Sequence, residues 1–317
     1  MQKAKGYKRF YPWLKWIFSG VSIFVFVSKV LEIEGSLVQD IFDGVSKRPL
    51  LFFVILLLAL VNWNAEAQKF KLLIRSEIKL SNFKAFLIVL GGMAISNFTP
   101  ARTGEYIGRG LLLKKLHPVK VVIATVTGNI AQVLMTYGLG LICVLWLVFF
   151  TDYAEKLTEL PKLWSVTALI VVMFLILVYA KRLIRWMKPR LPSKLAKTLN
   201  MVKKYNGQIF GRVAGIAFVR YLAFGLQFYL LLQLFSDFSL PVFALVLIPV
   251  AYLMQSVAPV PAISDVGVRV YVSQLLFGTF LIDSAILHAV TSLWFINLIL
   301  PGFIGAIYLL GSSIKNR

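Results

Sequence analysis

Apolar residues in this chain fall in long runs, and short polar connectors between them carry nearly all the charge. The runs at 14–31, 50–67, 119–150, 163–180, 213–235 and 282–310 approach or exceed the ~20 residues with which a helix crosses a bilayer. Two stretches break this pattern. The first, 85–98, holds only ~14 mainly apolar residues, contains the pair Gly91-Gly92, and has basic residues on both sides. Lys79 and Lys84 precede it; Arg102, Arg109, Lys114 and Lys115 follow. A short run that returns to the side it left predicts a re-entrant hairpin, whose irregular backbone must be buried in protein or line a cavity. The second stretch, 241–280, is interrupted at Pro241, Pro249, Pro259 and Pro261, and reads either as a second hairpin of opposite opening or as two broken spans. The pattern therefore predicts an all-α, polytopic membrane helix bundle of six to eight spans with two re-entrant or broken-helix elements. It forms a single transmembrane domain over 1–317, with no soluble catalytic domain.

Interrupted segments of opposite orientation point to an inverted repeat with a site near the midplane. Ser96-Asn97-Phe98-Thr99-Pro100 and Gln255-Ser256-Val257-Ala258-Pro259 match in this sense, each being followed by a glycine, an acid and an arginine.

Composition sharpens the class. Apolar residues make up 59 % of the 317, mean hydropathy is +0.81, and only 15 % of residues are charged. The net charge of +21 would suit nucleic acid, but its distribution does not. Acids gather in three connectors (Glu32 to Asp43, Asp152 to Glu159, and Asp237), whereas lysines and arginines fill the alternate ones. That asymmetry predicts a multi-pass protein of the cell (inner) membrane with both termini cytoplasmic, and membrane phospholipids as partners in place of nucleic acid. The basic start with no small-residue cleavage site reads as a retained first helix. A single cysteine, Cys143, gives no disulfide framework, and His117 and His288 alone give no metal site, so no cofactor is expected. The basic connector 181–212 contains a helix start at Pro192-Ser193 with Leu195, Leu199, Val202 and Tyr205 as an apolar stripe. It suits an interfacial helix on anionic headgroups, although positive-inside loops are basic whatever their function.

Candidate chemistry centres on the stretch 95–109. Thr99-Pro100 reads as a helix start, and Arg102, Glu105 and Arg109 follow at spacings of three and four, on one face. A helix start with two arginines at a bilayer edge is a candidate anion site; the alternative is a structural Arg–Glu–Arg ladder. Asn97 lies just before it. Asn62, Glu66 and Lys69 share a face of the preceding span, and Glu66 must pair with Lys69, with Arg102 or Arg109, or snorkel as a surface pair. Asn129 and Gln132 share a face and line a polar path or bond between helices. Arg220, two turns inside its run, either snorkels or enters the bundle. In the second interrupted stretch the charges are Asp265 and Arg269.

Pro100-Ala101-Arg102-Thr103-Gly104-Glu105, followed by Arg109, resembles the P-x-R-x-G-E…R signature of the lysylphosphatidylglycerol synthase transmembrane-domain family, also called flippase-like. The stretch from Pro261 to Arg269 is similar to that family's proline, glycine-rich and Gly-Val-Arg-Glu segment. It departs in two places: Ser264-Asp265 replaces a glycine pair, and Val270 replaces the glutamate. Asp265 is the candidate substitute carboxylate. The resemblance implies the lipid-flipping half of aminoacyl-lipid resistance proteins, without the synthase. On that basis Arg102, Arg109 and Arg269 are expected to bind lipid phosphate, with Arg269 at an outer opening. Glu105, Glu66 and Asp265 would orient or couple them, and Asn97, Asn129, Gln132 and Arg220 would line the path. Two other readings stay open: a membrane enzyme acting on a polyprenyl-phosphate or aminoacyl lipid, and a non-transporting partner of a lipid-modifying enzyme. A homo-oligomer is compatible with each.

Overall fold

A computed structural model describes residues 35–97, 99, 102–113, 116–151, 182, 186, 201, 204–256 and 265–314, and these form helices joined by short turns, with no strand among them. The expected first span at 14–31, the return span at 163–180 and most of the basic connector lie outside the described residues.

Capping residues and prolines set the helix starts. After α1 (Gly35–Lys47), Pro49 opens α2 (Pro49–Ile74) at the position where a missing N–H costs nothing. The Ser81 hydroxyl accepts from Lys84 N–H to cap α3 (Asn82–Ser96). α4 (Gly104–Leu112) follows, and His117-Pro118 starts α5 (Pro118–Phe150). The Asn206 side chain caps α6 (Gly207–Leu234) by accepting from Ile209 N–H at 2.9 Å. Then come α7 (Ala244–Gln255), α8 (Asp265–Phe277), α9 (Asp283–Trp294), a π turn (Phe295–Ile299) and α10 (Leu300–Ile314). Pro301 explains the π turn. Its nitrogen cannot donate to the carbonyl of Asn297 and its ring would crowd it, so the backbone widens ahead of it.

Four segments among the described residues are long and apolar enough to cross a membrane: α2, α5, α6 and the continuous run of α9, the π turn and α10. Only 22 % of the most apolar window of α5 is buried, so its large side chains, such as Ile142, Phe149 and Phe150, face outward as hydrocarbon contact requires.

The ends of these segments sort into two layers. At the basic end, Lys71 donates to Asn82 at 2.6 Å, Glu77 pairs with Lys120 and Lys204, and the Tyr205 hydroxyl donates to the Leu73 carbonyl at 3.0 Å. At the other end, Arg48 donates to the Gln233 carbonyl and Phe243 packs against Trp146 and Phe280.

The short helices form two antiparallel pairs. α3 and α4 start and finish at the basic end, and approach so closely that a Cβ on Gly104 would sit 2.4 Å from the Ile95 carbonyl oxygen. A Cβ on Gly108 would sit 2.6 Å from the Gly91 oxygen. Gly305 of α10 is tighter still, 1.9 Å from the Leu90 oxygen. Gly91-Gly92 therefore does not break the first interrupted stretch: α3 runs unbroken through both, and the pair is the floor on which α4 packs. α7 and α8 start and finish at the opposite end. Pro249, expected to interrupt the helix, lies inside an unbroken α7, and residues 257–264, with Pro259 and Pro261, lie outside the described residues.

Candidate functional site: a buried cationic cluster beside a cavity

The core contains charges that an apolar interior cannot hold singly. Glu66 of α2, 3 % exposed, pairs with three cations: Lys69 at 2.8 Å, Arg109 of α4 at 2.9 Å and Arg220 of α6 at 3.0 Å. Arg109 also reaches Glu105 at 3.1 Å, and Arg102 reaches Glu105 at 3.2 Å. The Arg–Glu–Arg ladder, the alternative to an anion site on that face, is thus present, and Glu66 ties it to two further cations. Neither Glu66 nor Lys69 is a surface pair, since Lys69 is fully buried.

Polar neighbours complete the cluster. Lys69 donates to the Gly128 carbonyl and to Gln132, both at 3.4 Å. The Arg109 guanidinium donates to Thr125 at 3.4 Å and lies 5.0 Å from the centre of the Phe70 ring. Arg220 enters the bundle, donating to Asn62 at 2.8 Å and to Gln132 at 3.2 Å. From Asn62 a chain of amides runs on: Asn62 donates to Asn297 at 2.7 Å, and Asn297 donates to Gln227 at 2.9 Å.

Local backbone places Arg102. The expected helix start at Thr99-Pro100 moves to Gly104, because Arg102 adopts a left-handed φ of 57°, which helix cannot continue through. Thr99 keeps a capping role, its hydroxyl accepting from Gly104 N–H at 2.6 Å. Asn97 closes α3 and donates to the Leu298 carbonyl of the π turn at 3.0 Å.

A cavity of about 280 Å³ opens beside the cluster. Arg102, Arg220 and Arg269 line it, with Asn62, Gln132, Gln255, Ser256 and Asn297 as polar neighbours and Tyr221, Phe224 and Tyr252 as an aromatic wall. Among the described residues that line it there is no carboxylate. Residues near the ends of both short helix pairs therefore line one cavity: Arg102 stands between α3 and α4, Gln255 and Ser256 end α7, and Arg269 lies one turn into α8. Arg269, expected at a separate outer opening, shares the wall with Arg102, and donates to Gln255 at 3.3 Å.

The remaining expected residues divide. Gln132 lines the cavity, Arg109 sits behind it in the ion-pair cluster, and Asn129, half-buried on α5, lines neither. Asp265 is the first residue of α8. Asn297, Tyr221, Tyr252 and Gln255 had not been expected at the site. Asn297 carried one signal, a proline four residues on within an apolar run, which marks a disturbed helix turn and exposed polar backbone.

Outside the spans, Glu77 accepts from Lys120 and from Lys204, and these bonds hold its carboxyl below the usual carboxylate range. Burial, with the Glu77 charge nearby, pushes the Tyr205 hydroxyl up.

Apolar segments of membrane-crossing length around a buried cationic cluster and an arginine-lined cavity define a helical membrane protein with an internal polar site. The chain belongs to the family described as the lysylphosphatidylglycerol synthase TM region, whose model matches residues 13–305. No curated protein matches the chain.

Proposed function

We propose that this protein binds the phosphate of an anionic lipid in the Arg102–Arg220–Arg269 cavity and carries it between leaflets. The observation that carries the reading is the wall itself: three arginines and no described carboxylate around about 280 Å³ of space, inside a membrane bundle. Guanidinium groups suit phosphate because they donate paired N–H bonds in the plane of its oxygens. Glu66 and Glu105 hold Arg220 and Arg109 in place, so a ligand meets a cationic wall that is already ordered, with Arg102 paired to Glu105 until a phosphate takes it.

In this reading the α3–α4 pair is re-entrant from the basic, cytoplasmic side and α7–α8 from the opposite side. Residues near their ends lining one cavity fit an inverted repeat with a midplane site. The expected spans at 14–31 and 163–180 bring the span count to six in a cell membrane, with both termini inside. The chain performs lipid movement and no chemical step. A phosphate that binds Arg102 competes with Glu105 for it, which couples occupancy to the position of α4.

The test is leaflet exchange of fluorescent anionic phospholipid in liposomes holding the purified protein. Wild type accelerates exchange, and Arg102→Gln with Arg269→Gln lowers the rate about tenfold or more, as loss of two charge-assisted contacts requires. An unchanged rate in a correctly folded double variant ends the proposal.

A further inference from the structure

Building on the lipid-phosphate reading, we infer that the cavity selects a dianionic headgroup, a phosphomonoester or diphosphate, over a phosphodiester or an aminoacylated lipid. The linked cluster holds four cations, Lys69, Arg102, Arg109 and Arg220, against two carboxylates, Glu66 and Glu105. Among the described residues that is a formal excess of two positive charges, with Lys69 and Arg109 buried, Arg220 nearly so and Arg102 half-exposed toward the cavity, and both carboxylates are already shared, Glu66 among three cations and Glu105 between two. Buried charge is stable only when compensated. A phosphodiester brings one negative charge and leaves the excess half met. A phosphomonoester brings about −1.5 to −2 at pH 7.

The cavity's donors say the same. The Arg102 Nε–H and the Tyr221 hydroxyl are buried, belong to lining residues and donate to nothing among the described residues. A monoester presents three terminal oxygens to such donors, one more than a diester. An ammonium headgroup, by contrast, would enter a wall holding Arg102, Arg220 and Arg269. The cavity volume lies near the lower end of the ~300–1,000 Å³ typical of small-ligand sites, which suits a headgroup with its acyl chains left in the bilayer.

The experiment titrates the full chain in detergent, by calorimetry, with short-chain phosphatidate, phosphatidylglycerol and lysyl-phosphatidylglycerol, alongside inorganic pyrophosphate and uncharged diacylglycerol. At pH 8 phosphatidate binds about tenfold more tightly than either diester. The advantage fades at pH 5, below the second phosphate pKa of ~6. Tyr221→Phe, which removes one hydroxyl and keeps the ring, weakens phosphatidate a few-fold and leaves phosphatidylglycerol nearly unchanged. Equal binding of phosphatidate and either diester at pH 8 overturns the dianion inference and leaves the lipid-phosphate site standing. Pyrophosphate binding as tightly as phosphatidate keeps the dianion and removes the lipid as its source. If no phospholipid binds better than diacylglycerol, both readings fall.

Discussion

Glu66 is the residue on which the buried electrostatics close. It is the direct partner of Lys69, Arg109 and Arg220, so Glu66→Gln leaves Lys69 and Arg220 with no carboxylate among the described residues and Arg109 with Glu105 alone, while changing almost no volume. Breaking a buried pair from one side typically costs ~3–5 kcal/mol. Thermal unfolding in detergent should show that loss for Glu66→Gln and a smaller one for Glu105→Gln, which retains Glu66 beneath Arg109. Equal melting of Glu66→Gln and wild type would remove Glu66 from the centre of the cluster. Arg102 makes the opposite prediction. Its left-handed backbone costs ~1–2 kcal/mol, so Arg102→Gly should melt no lower than wild type and yet slow lipid exchange. Much of this chemistry was legible in the sequence, because charges inside apolar runs are expensive and helical spacing fixes which ones share a face. Tyr221 and Asn297 were harder to read. Tyr221 follows Arg220 and Asn297 lies four residues before Pro301, but what each side chain does depends on neighbours from other helices.

At the scale of elements, glycine decides how near two helices come. Gly305 lies against the Leu90 carbonyl, where no side chain fits, whereas Gly311, two turns on, has open space around it. Gly305→Val should therefore destabilise the protein by about 3 kcal/mol through forced separation of α3 and α10, and Gly311→Val by very little. Urea or thermal unfolding of the two variants side by side checks this; similar losses would mean that helix propensity, not the close approach, is being measured. The same physics explains why Gly91-Gly92 misleads a sequence reader. A glycine pair weakens an isolated helix, and only the partner backbone shows that it serves as a contact surface. The π turn is similar. Pro301 was visible, but its effect, turning Asn297 toward Asn62 and Gln227, is a property of three packed elements.

At the scale of the whole molecule, two short helix pairs from opposite ends meet at one cationic cavity, while Glu77 pins the basic end together. The Glu77 carboxyl titrates below its ordinary value in the folded protein. Its bonds to Lys120 and Lys204 therefore add stability at pH values above the ordinary carboxylate pKa of ~4.3, and that contribution is lost as pH falls through the lowered folded value. The stability gap between wild type and Glu77→Gln should be full near pH 7 and close in acid; a gap independent of pH would mean that the carboxylate charge plays no part. The helical membrane class and the short helices were legible from hydropathy, but proline placement was a poorer guide, since Pro249, expected to interrupt the second stretch, lies inside the unbroken α7. The convergence of the short helices on one cavity was not legible, since sequence order puts Arg102 and Arg269 far apart and only tertiary packing unites them. The most direct measurement is lipid-resolved native mass spectrometry of the purified protein. Wild type should retain anionic lipid that the Arg102→Gln, Arg269→Gln double variant loses. Equal retention by both, or retention of zwitterionic lipid alone, would contradict a phosphate site in the arginine-lined cavity.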